Sequence, residues 1–443
     1  MRKQIITRLT AIIFTIVIFT VTLFNVPQSI YGQTVEWPTA PVTLAESAIL
    51  IDADTGAILY DKGSHTKAYP ASMTKIMTGL LTIENCSLDE VVTVSSAAVK
   101  SVMQGDSNIS TKVGEQYTVE QSLYAILLSS ANEVAYGLAE HVGSSLTGFV
   151  DMMNERAKEL GALDTHFDNA SGLSDPNHYT TAYDMAMIGC ASFSNAQFLS
   201  IDSYTGSYTL EATNLTRTAR ILTGNNLLFK GRQFYYEYCK GSKTGFTDEA
   251  GYTLISYAEK DGMRLICVVM KEANINDRYI DTKALFEYGF NNFNKVPISN
   301  SDVSSLFTSS NYYNSDVYGN NNINFSIDSS YVDLPNDANL SDIGMMLDRK
   351  SDENIDDSNY TAKLNFLYKG NIVGNSSFVV NKINAVKSEN LPYLASDNPA
   401  KLTSKKSLLI NVRYIGLGIV IIIIFQIIML IRHTLRMKRH NKY

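Results

Sequence analysis

Two β-hairpin patterns far apart in the chain bracket a long helical stretch, and this order restricts the folds open to the protein more than any other feature. The first hairpin joins the apolar runs Ser47–Ala53 and Ala57–Tyr60 through Asp54-Thr55-Gly56. The second joins Tyr252–Ala258 and Met263–Met270 through Lys260-Asp261-Gly262, and Thr282–Phe290 reads as a closing helix. Between them, from Ala71 to about Cys190, apolar residues recur at three- and four-residue spacing, as in Leu123, Ile126 and Leu127, then Val134, Leu138 and Val142. Strands at both ends with helices between them predict an α/β (α+β) domain whose antiparallel sheet is assembled from N- and C-terminal segments. Asp54-Thr55-Gly56 also spells an aspartic-protease tripeptide. That chemistry needs two such carboxylates sharing a proton, and no second Asp-[Thr/Ser]-Gly exists, so the turn reading stands.

A chain of 443 residues exceeds one ordinary domain. After Val296 the composition shifts to Ser, Asn and Tyr, and Ile323–Ile327, Thr361–Tyr368 and Ser377–Val380 read as short strands, with a turn at Lys369-Gly370-Asn371. The expected organisation is therefore a catalytic-sized domain at 40–295, a smaller β-rich accessory domain at 300–398, and a basic linker at Lys401–Lys406. Net charge of only −7 argues against a nucleic-acid partner. Cys86, Cys190, Cys239 and Cys267 form no CxxC pair, no HExxH is present, and no close ligand cluster is visible, so neither a metal nor another cofactor is expected.

The chain ends point to a membrane. Arg2, Lys3 and Arg8 precede an apolar run from Leu9 to Phe24 and a polar, Pro-containing stretch, the order of a secretory signal over residues 1–32. Tyr414–Ile431 is uncharged, interrupted only by Gln426, and followed by Arg432, Arg436, Lys438, Arg439 and Lys442. This predicts a transmembrane helix at 410–432 and a cytoplasmic basic tail at 433–443, with everything before Arg413 outside the cell membrane.

Three short motifs carry the chemistry. In Pro70-Ala71-Ser72-Met73-Thr74-Lys75 the proline suits a helix start, which puts Ser72 near an N-terminus and Lys75 on the same face three residues on. A serine hydroxyl is a weak nucleophile until a neighbour takes its proton, and the exposed amides of a helix start favour the developing negative charge. Ser130-Ala131-Asn132 falls between two helical stretches. Side chains two apart cannot share a helix face, so the motif serves a site only from a short connection, where a hydroxyl relays a proton and a carboxamide holds an amide. Lys243-Thr244-Gly245, followed by Phe246 and Thr247, leads into β-rich sequence. The glycine allows close approach, and the lysine and hydroxyls suit a carboxylate. Each motif is common alone; the ordered set of SxxK, SxN and KTG is specific.

With these motifs the chain resembles the low-molecular-mass penicillin-binding proteins that act as serine-type D-alanyl-D-alanine carboxypeptidases. The likeness extends to Leu50–Gly56, Pro70–Thr78, Leu128–Ala139, Leu160–Asp184 and Gly241–Ala258. It implies a penicillin-recognising serine transpeptidase/β-lactamase-like domain, removal of the terminal D-alanine from peptidoglycan stem peptides, a place in cell-wall and cell-shape maintenance, and inhibition by β-lactam antibiotics. The resemblance implies Ser72 as acylated nucleophile, Lys75 as its base with Lys243 disfavouring its charge, and Ser130 as proton shuttle. It implies Asn132 on the peptide backbone, Thr244, Gly245, Thr247 and Arg278 with Lys243 around the terminal carboxylate, and the backbone amides of Ser72 and Phe246 as oxyanion hole. A class A β-lactamase would need a glutamate base between the second and third motifs, and Asn169–Asp184 contains none. A D,D-endopeptidase would look the same in sequence, and a non-catalytic wall-binding relative would have been favoured by loss of Ser72, Lys75 or Lys243. A Ser-His-Asp triad drawn from His141, His166 or His178 with Asp164, Asp175 or Asp184 has no supporting motif.

Overall fold

The computed structural model describes residues 36–309, 325–328, 330–348 and 359–381. The expected signal, basic linker, membrane segment and basic tail lie outside the described residues, and among the described residues no helix is long and apolar enough to cross a membrane.

Strands β1 (Ser47–Asp52) and β2 (Ile58–Lys62) form the first hairpin, after which a 3-10 turn at Ala71–Thr74 runs into α1 (Lys75–Asn85). The short pair β3 (Val91–Thr93) and β4 (Gln116–Thr118) flanks α2 (Ser96–Lys100). Helices α3 (Val119–Leu128), α4 (Asn132–Gly143) and α5 (Leu146–Glu159) follow, then α6 (Ala182–Ser194) and α7 (Ala196–Asp202). A second short pair, β5 (Ser207–Leu210) with β6 (Arg220–Thr223), precedes the long strands β7 (Cys239–Thr247), β8 (Gly251–Lys260) and β9 (Met263–Glu272) and helix α8 (Asp277–Asn292).

Five strands make one antiparallel sheet in the order β2-β1-β9-β8-β7, so the N-terminal hairpin completes a sheet whose other strands come from the far side of the helical stretch. Register divides the strands into two faces. Leu50, Leu254, Leu265 and Val269 pack with Leu285 and Phe286 of α8, whereas Ile49, Ile51, Ile255, Ile266 and Val268 join the core of the helical layer. Because both faces are covered, β1 is buried along its whole length, which is why it reads as an unbroken apolar run. Helix α8 begins at Asp277, earlier than the Thr282 start read from periodicity, because the buried positions of its first turn are Arg278, Tyr279 and Asp281. Asp281 accepts the backbone N–H groups of Leu44 and Ala45 at 2.6 and 3.0 Å.

Beyond α8, β10 (Phe293–Ile298) and α9 (Asn300–Ser309) lead into β11 (Phe325–Ile327), β12 (Ser330–Pro335), β13 (Gly344–Asp348), β14 (Asn359–Tyr368) and β15 (Asn371–Asn381). These strands form a sheet ordered β11-β15-β14-β13 and a β10–β12 pair, around a third core that includes Ile298, Val332, Leu334, Phe366 and Val373. Strands β12 and β13 were not legible in sequence, since β12 turns the acidic Asp333 inward and ends in Pro335. Asp54-Thr55-Gly56 is the turn expected, and it is also where this β-rich layer holds the first sheet. The Thr55 hydroxyl donates to Asp333, Asn375 Nδ2 donates to the Thr55 carbonyl at 2.7 Å, and Lys295 pairs with Asp54.

Candidate active site

The 3-10 turn places Ser72 one turn before Lys75 on one continuous helical path. Ala71 just before it has φ +49, and Ser130 has φ +57; both are non-glycine residues in the left-handed region, held there by their surroundings. Gly172 explains part of this, because a Cβ there would lie 1.8 Å from the Ala71 carbonyl oxygen. Gly245 of β7 also approaches the first motif, where a Cβ would fall 2.9 Å from the Pro70 carbonyl oxygen, and it packs on β8, where the same Cβ would lie 2.3 Å from Thr253 Oγ1.

Lys75 is fully buried, and its Nζ lies 3.0 Å from Ser72 Oγ, 2.7 Å from Asn132 Oδ1 and 2.6 Å from the Ser171 carbonyl oxygen. The carboxamide oxygen and the carbonyl can only accept, so they take two N–H groups and leave the third direction to Ser72. In a neutral amine that third direction is the lone pair, and it faces the hydroxyl whose proton must be removed. Burial holds Lys75 well below the usual lysine range; the Lys243 charge acts in the same sense but is the smaller cause, while Glu133 and Asp106 oppose it.

Ser130 and Asn132 lie where α3 has ended and α4 begins, the short connection the motif requires. Lys243 Nζ, from β7, donates to Ser130 Oγ at 3.2 Å and to the Thr244 carbonyl at 3.1 Å. Burial pushes Lys243 down to about 8, opposed by Asp202 and reinforced by Arg278. Asp202 closes α7, is buried, and accepts the Ser242 N–H at 2.7 Å; burial pushes its carboxyl up to about 7. Asp202, Lys243 and Thr244 line an open cleft with Leu127, Leu128 and Asn226.

The structure thus joins Ser72, Lys75 and Asn132 in one hydrogen-bonded set and Ser130 with Lys243 in a second, the Lys243 charge acting on Lys75, and Thr244, Gly245, Phe246 and Thr247 follow along the same strand as Lys243. Thr247 Oγ1 accepts the Ala250 N–H at 3.1 Å and faces Ser174 Oγ at 3.1 Å. The Phe246 ring is half exposed and stacks on Tyr252. Arg278 is buried in the first turn of α8, donating to the Gly245 carbonyl at 3.1 Å and facing the rings of Tyr252 and Tyr279.

Sequence reasoning had no signal for the Ser171 carbonyl, which is backbone. Asn169 Oδ1 accepts the N–H groups of Ser171 and Gly172 at 3.1 and 2.7 Å and so shapes the turn that presents that carbonyl to Lys75. The block Leu160–Asp184 that carries the family likeness contains this turn. None of the triad histidines reaches Ser72. His178 is buried, its Nδ1 accepts the Asp168 N–H at 3.0 Å and its Nε2 meets Thr74 Oγ1 at 2.8 Å, and burial pushes it down to about 3. His166 bonds the Asn177 carbonyl, and His141 meets Glu90.

The family described as D-alanyl-D-alanine carboxypeptidase (peptidase S11) matches residues 34–274, more than half of the chain. The chain is similar to D-alanyl-D-alanine carboxypeptidase DacF of Bacillus subtilis, 36% identical over 258 residues, 57% of this chain and 64% of that protein. It is also similar to D-alanyl-D-alanine carboxypeptidase DacA of Escherichia coli, 32% identical over 269 residues, 58% of this chain and 64% of that protein. The chain therefore spans less than two thirds of the length of these curated relatives. The crystal structure of the Streptomyces K15 DD-transpeptidase matches with TM-score 0.53 and 30% identity, covering 57% of this chain and 100% of that one. Penicillin-binding protein 5 from Haemophilus influenzae matches with TM-score 0.61 and 24% identity, covering 78% of this chain and 98% of that one, a likeness of fold alone.

Proposed function

The chain belongs to the D-alanyl-D-alanine carboxypeptidase family, and from that premise we propose that it is a serine-type D-alanyl-D-alanine carboxypeptidase acting on peptidoglycan stem pentapeptides. The contact set of Lys75 carries the proposal: a buried amine that, among the described residues, hydrogen-bonds two pure acceptors and the Ser72 hydroxyl is a base aimed at a nucleophile.

In the proposed reaction Ser72 Oγ attacks the carbonyl between the two D-alanines as its proton passes to Lys75 Nζ. The backbone amides of Ser72 and Phe246 receive the oxyanion. The C–N bond then breaks, the leaving nitrogen takes a proton through Ser130, and water hydrolyses the ester on Ser72. Asn132 would hold the peptide, while Lys243, Thr244 and Thr247 would receive the terminal carboxylate. Arg278 would act through its charge and by bracing Gly245, since Nη1 donates to the Gly245 and Thr253 carbonyls and Nη2 to the Tyr279 hydroxyl, while its Nε–H has no partner among the described residues. A β-lactam carbonyl would enter the same path, and with no glutamate in Asn169–Asp184 its ester would persist.

The proposal extends to location. Residues 1–32 would export the chain, Tyr414–Ile431 would hold it in the cell membrane, and the β-rich layer would space the active site from the bilayer; the basic flank after Ile431 supports this orientation. The test is benzylpenicillin added to the full chain in detergent, followed by peptide mapping. An adduct confined to Ser72 and absent from Ser72→Ala supports the assignment; an adduct at another residue, or none on folded protein, overturns it.

A further inference from the structure

A second cluster of chemistry-bearing side chains lies well away from Ser72. Cys86 follows α1, Glu90 ends the short loop into β3, and His141 sits near the C-terminal end of α4. Their ligand atoms all lie within 4.8 Å of one another, and His141 Nε2 is 3.1 Å from Glu90 Oε2. Tetrahedral zinc with arms of about 2.0–2.3 Å needs ligand atoms about 3.3–3.7 Å apart, so the imidazole and carboxylate, at 3.1 Å, need open by only a few tenths of an ångström and the thiol has at most about 1 Å to close. An isolated exposed His–Glu pair is a weak contact of about 0–1 kcal/mol. A thiol and a carboxylate from the stretch after α1 and an imidazole from α4 form a mixed S, N, O set instead.

We propose that Cys86, Glu90 and His141 bind one zinc ion, with water as the fourth ligand. The donor set favours zinc over calcium or magnesium, which take oxygen ligands in larger number. Glu90 Oε1 already accepts the Ser87 N–H at 2.7 Å, an outer contact that leaves Oε2 for the metal. At neutral pH a cysteine thiol carries its proton. Binding therefore exchanges that proton for the metal: the S–H proton goes to solvent, and a thiolate–zinc bond forms without oxidation or reduction. The charges of thiolate and carboxylate balance the dication.

The location gives the ion a structural task. Helices α1 and α4 carry Lys75 and Asn132 at their N-terminal ends, and Cys86 and His141 at or just beyond their other ends. Zinc would fasten the two helices about 16 Å from Lys75, at the 1.5 Å rise per residue of a helix. Cys86 and Glu90 are close in sequence, but His141 is remote, so spacing alone carries no sign of a metal site.

The test uses untagged full chain in detergent, stripped with EDTA and kept reduced, titrated with zinc chloride by calorimetry in two buffers of different ionisation heat. One zinc per chain is expected, with about one proton released. Since loss of an outer-sphere partner already costs about 10-fold or more in affinity, Cys86→Ser and His141→Gln should each lose at least that much. Zinc should raise the unfolding temperature of the wild type and leave both variants unmoved; calcium and magnesium should shift none of the three. Substoichiometric zinc binding by the wild type, or equal affinity in both variants, overturns the proposal. Should a variant fail to fold, the stoichiometry, proton release and thermal shift of the wild type decide the matter.

Discussion

Gly172→Ala isolates the contact that shapes the nucleophile turn. Gly172 has φ +87, and a Cβ there would lie 1.8 Å from the Ala71 carbonyl oxygen, 2.4 Å from its carbon and 2.9 Å from Thr74 Oγ1. Gly161 has nearly the same conformation, φ +80, with nothing within 4 Å of such a Cβ. Both substitutions carry a left-handed backbone cost of about 1–2 kcal/mol and the same gain from a stiffer unfolded chain of about 0.4–1 kcal/mol. Those terms cancel between them, leaving at Gly172 an overpacking cost of about 1–3 kcal/mol. For a domain of this size the difference corresponds to about 2–12 °C in unfolding temperature. Relief requires Ala71 to move by about 1 Å, and Ser72 follows it, which should slow acylation on the order of 100-fold. Thermal unfolding by circular dichroism and acylation by a fluorescent penicillin measure both effects. If the two alanine variants melt together and both acylate at the wild-type rate, Gly172 does not set the position of Ser72.

The remaining predictions concern charge. Lys243 is pushed down to about 8, so its cation gives way to the neutral amine as pH rises through that value, and kcat/KM on a peptide with a free carboxylate should fall on an alkaline limb near pH 8. Asp202 opposes that depression, so Asp202→Asn should move the limb to lower pH; an unmoved limb would remove Asp202 from the account. Asp333 is pushed up to about 8 by burial and by the Asp52 charge, so its contribution to stability is fully present below about pH 4 and lost as pH rises through about 8. Asp333→Asn should therefore match the wild type below about pH 4 and melt higher at pH 9; denaturation midpoints at the two pH values give the comparison.

What could be read from the sequence is what side-chain type and spacing encode. Ser72 and Lys75 lie three apart on one helical path, Ser130 and Asn132 need a connection between helices, and Lys243 lies on a strand, so each local pattern carried its own geometry. The sheet was legible because its central strands are buried on both faces and leave apolar runs. The rest lacked such a signature. The Ser171 acceptor is a backbone carbonyl, and the burial of Lys75, which outweighs the Lys243 charge, is a property of the packed layer. Asp202 and Asp333 are buried carboxylates remote in sequence from the groups they meet, and the second interrupts the alternation by which β12 would have been found. Arg278 lay ahead of the apolar period of α8, so the helix start and the burial of the guanidinium were missed together.

The central claim is that Ser72, activated by Lys75, releases D-alanine from stem peptides. The most direct measurement is D-alanine release from a synthetic peptide ending in D-Ala-D-Ala, by the full chain in detergent beside folded Ser72→Ala. Release by the wild type that vanishes in the variant is the predicted result. Release that survives Ser72→Ala, or folded wild type that releases none, would contradict it.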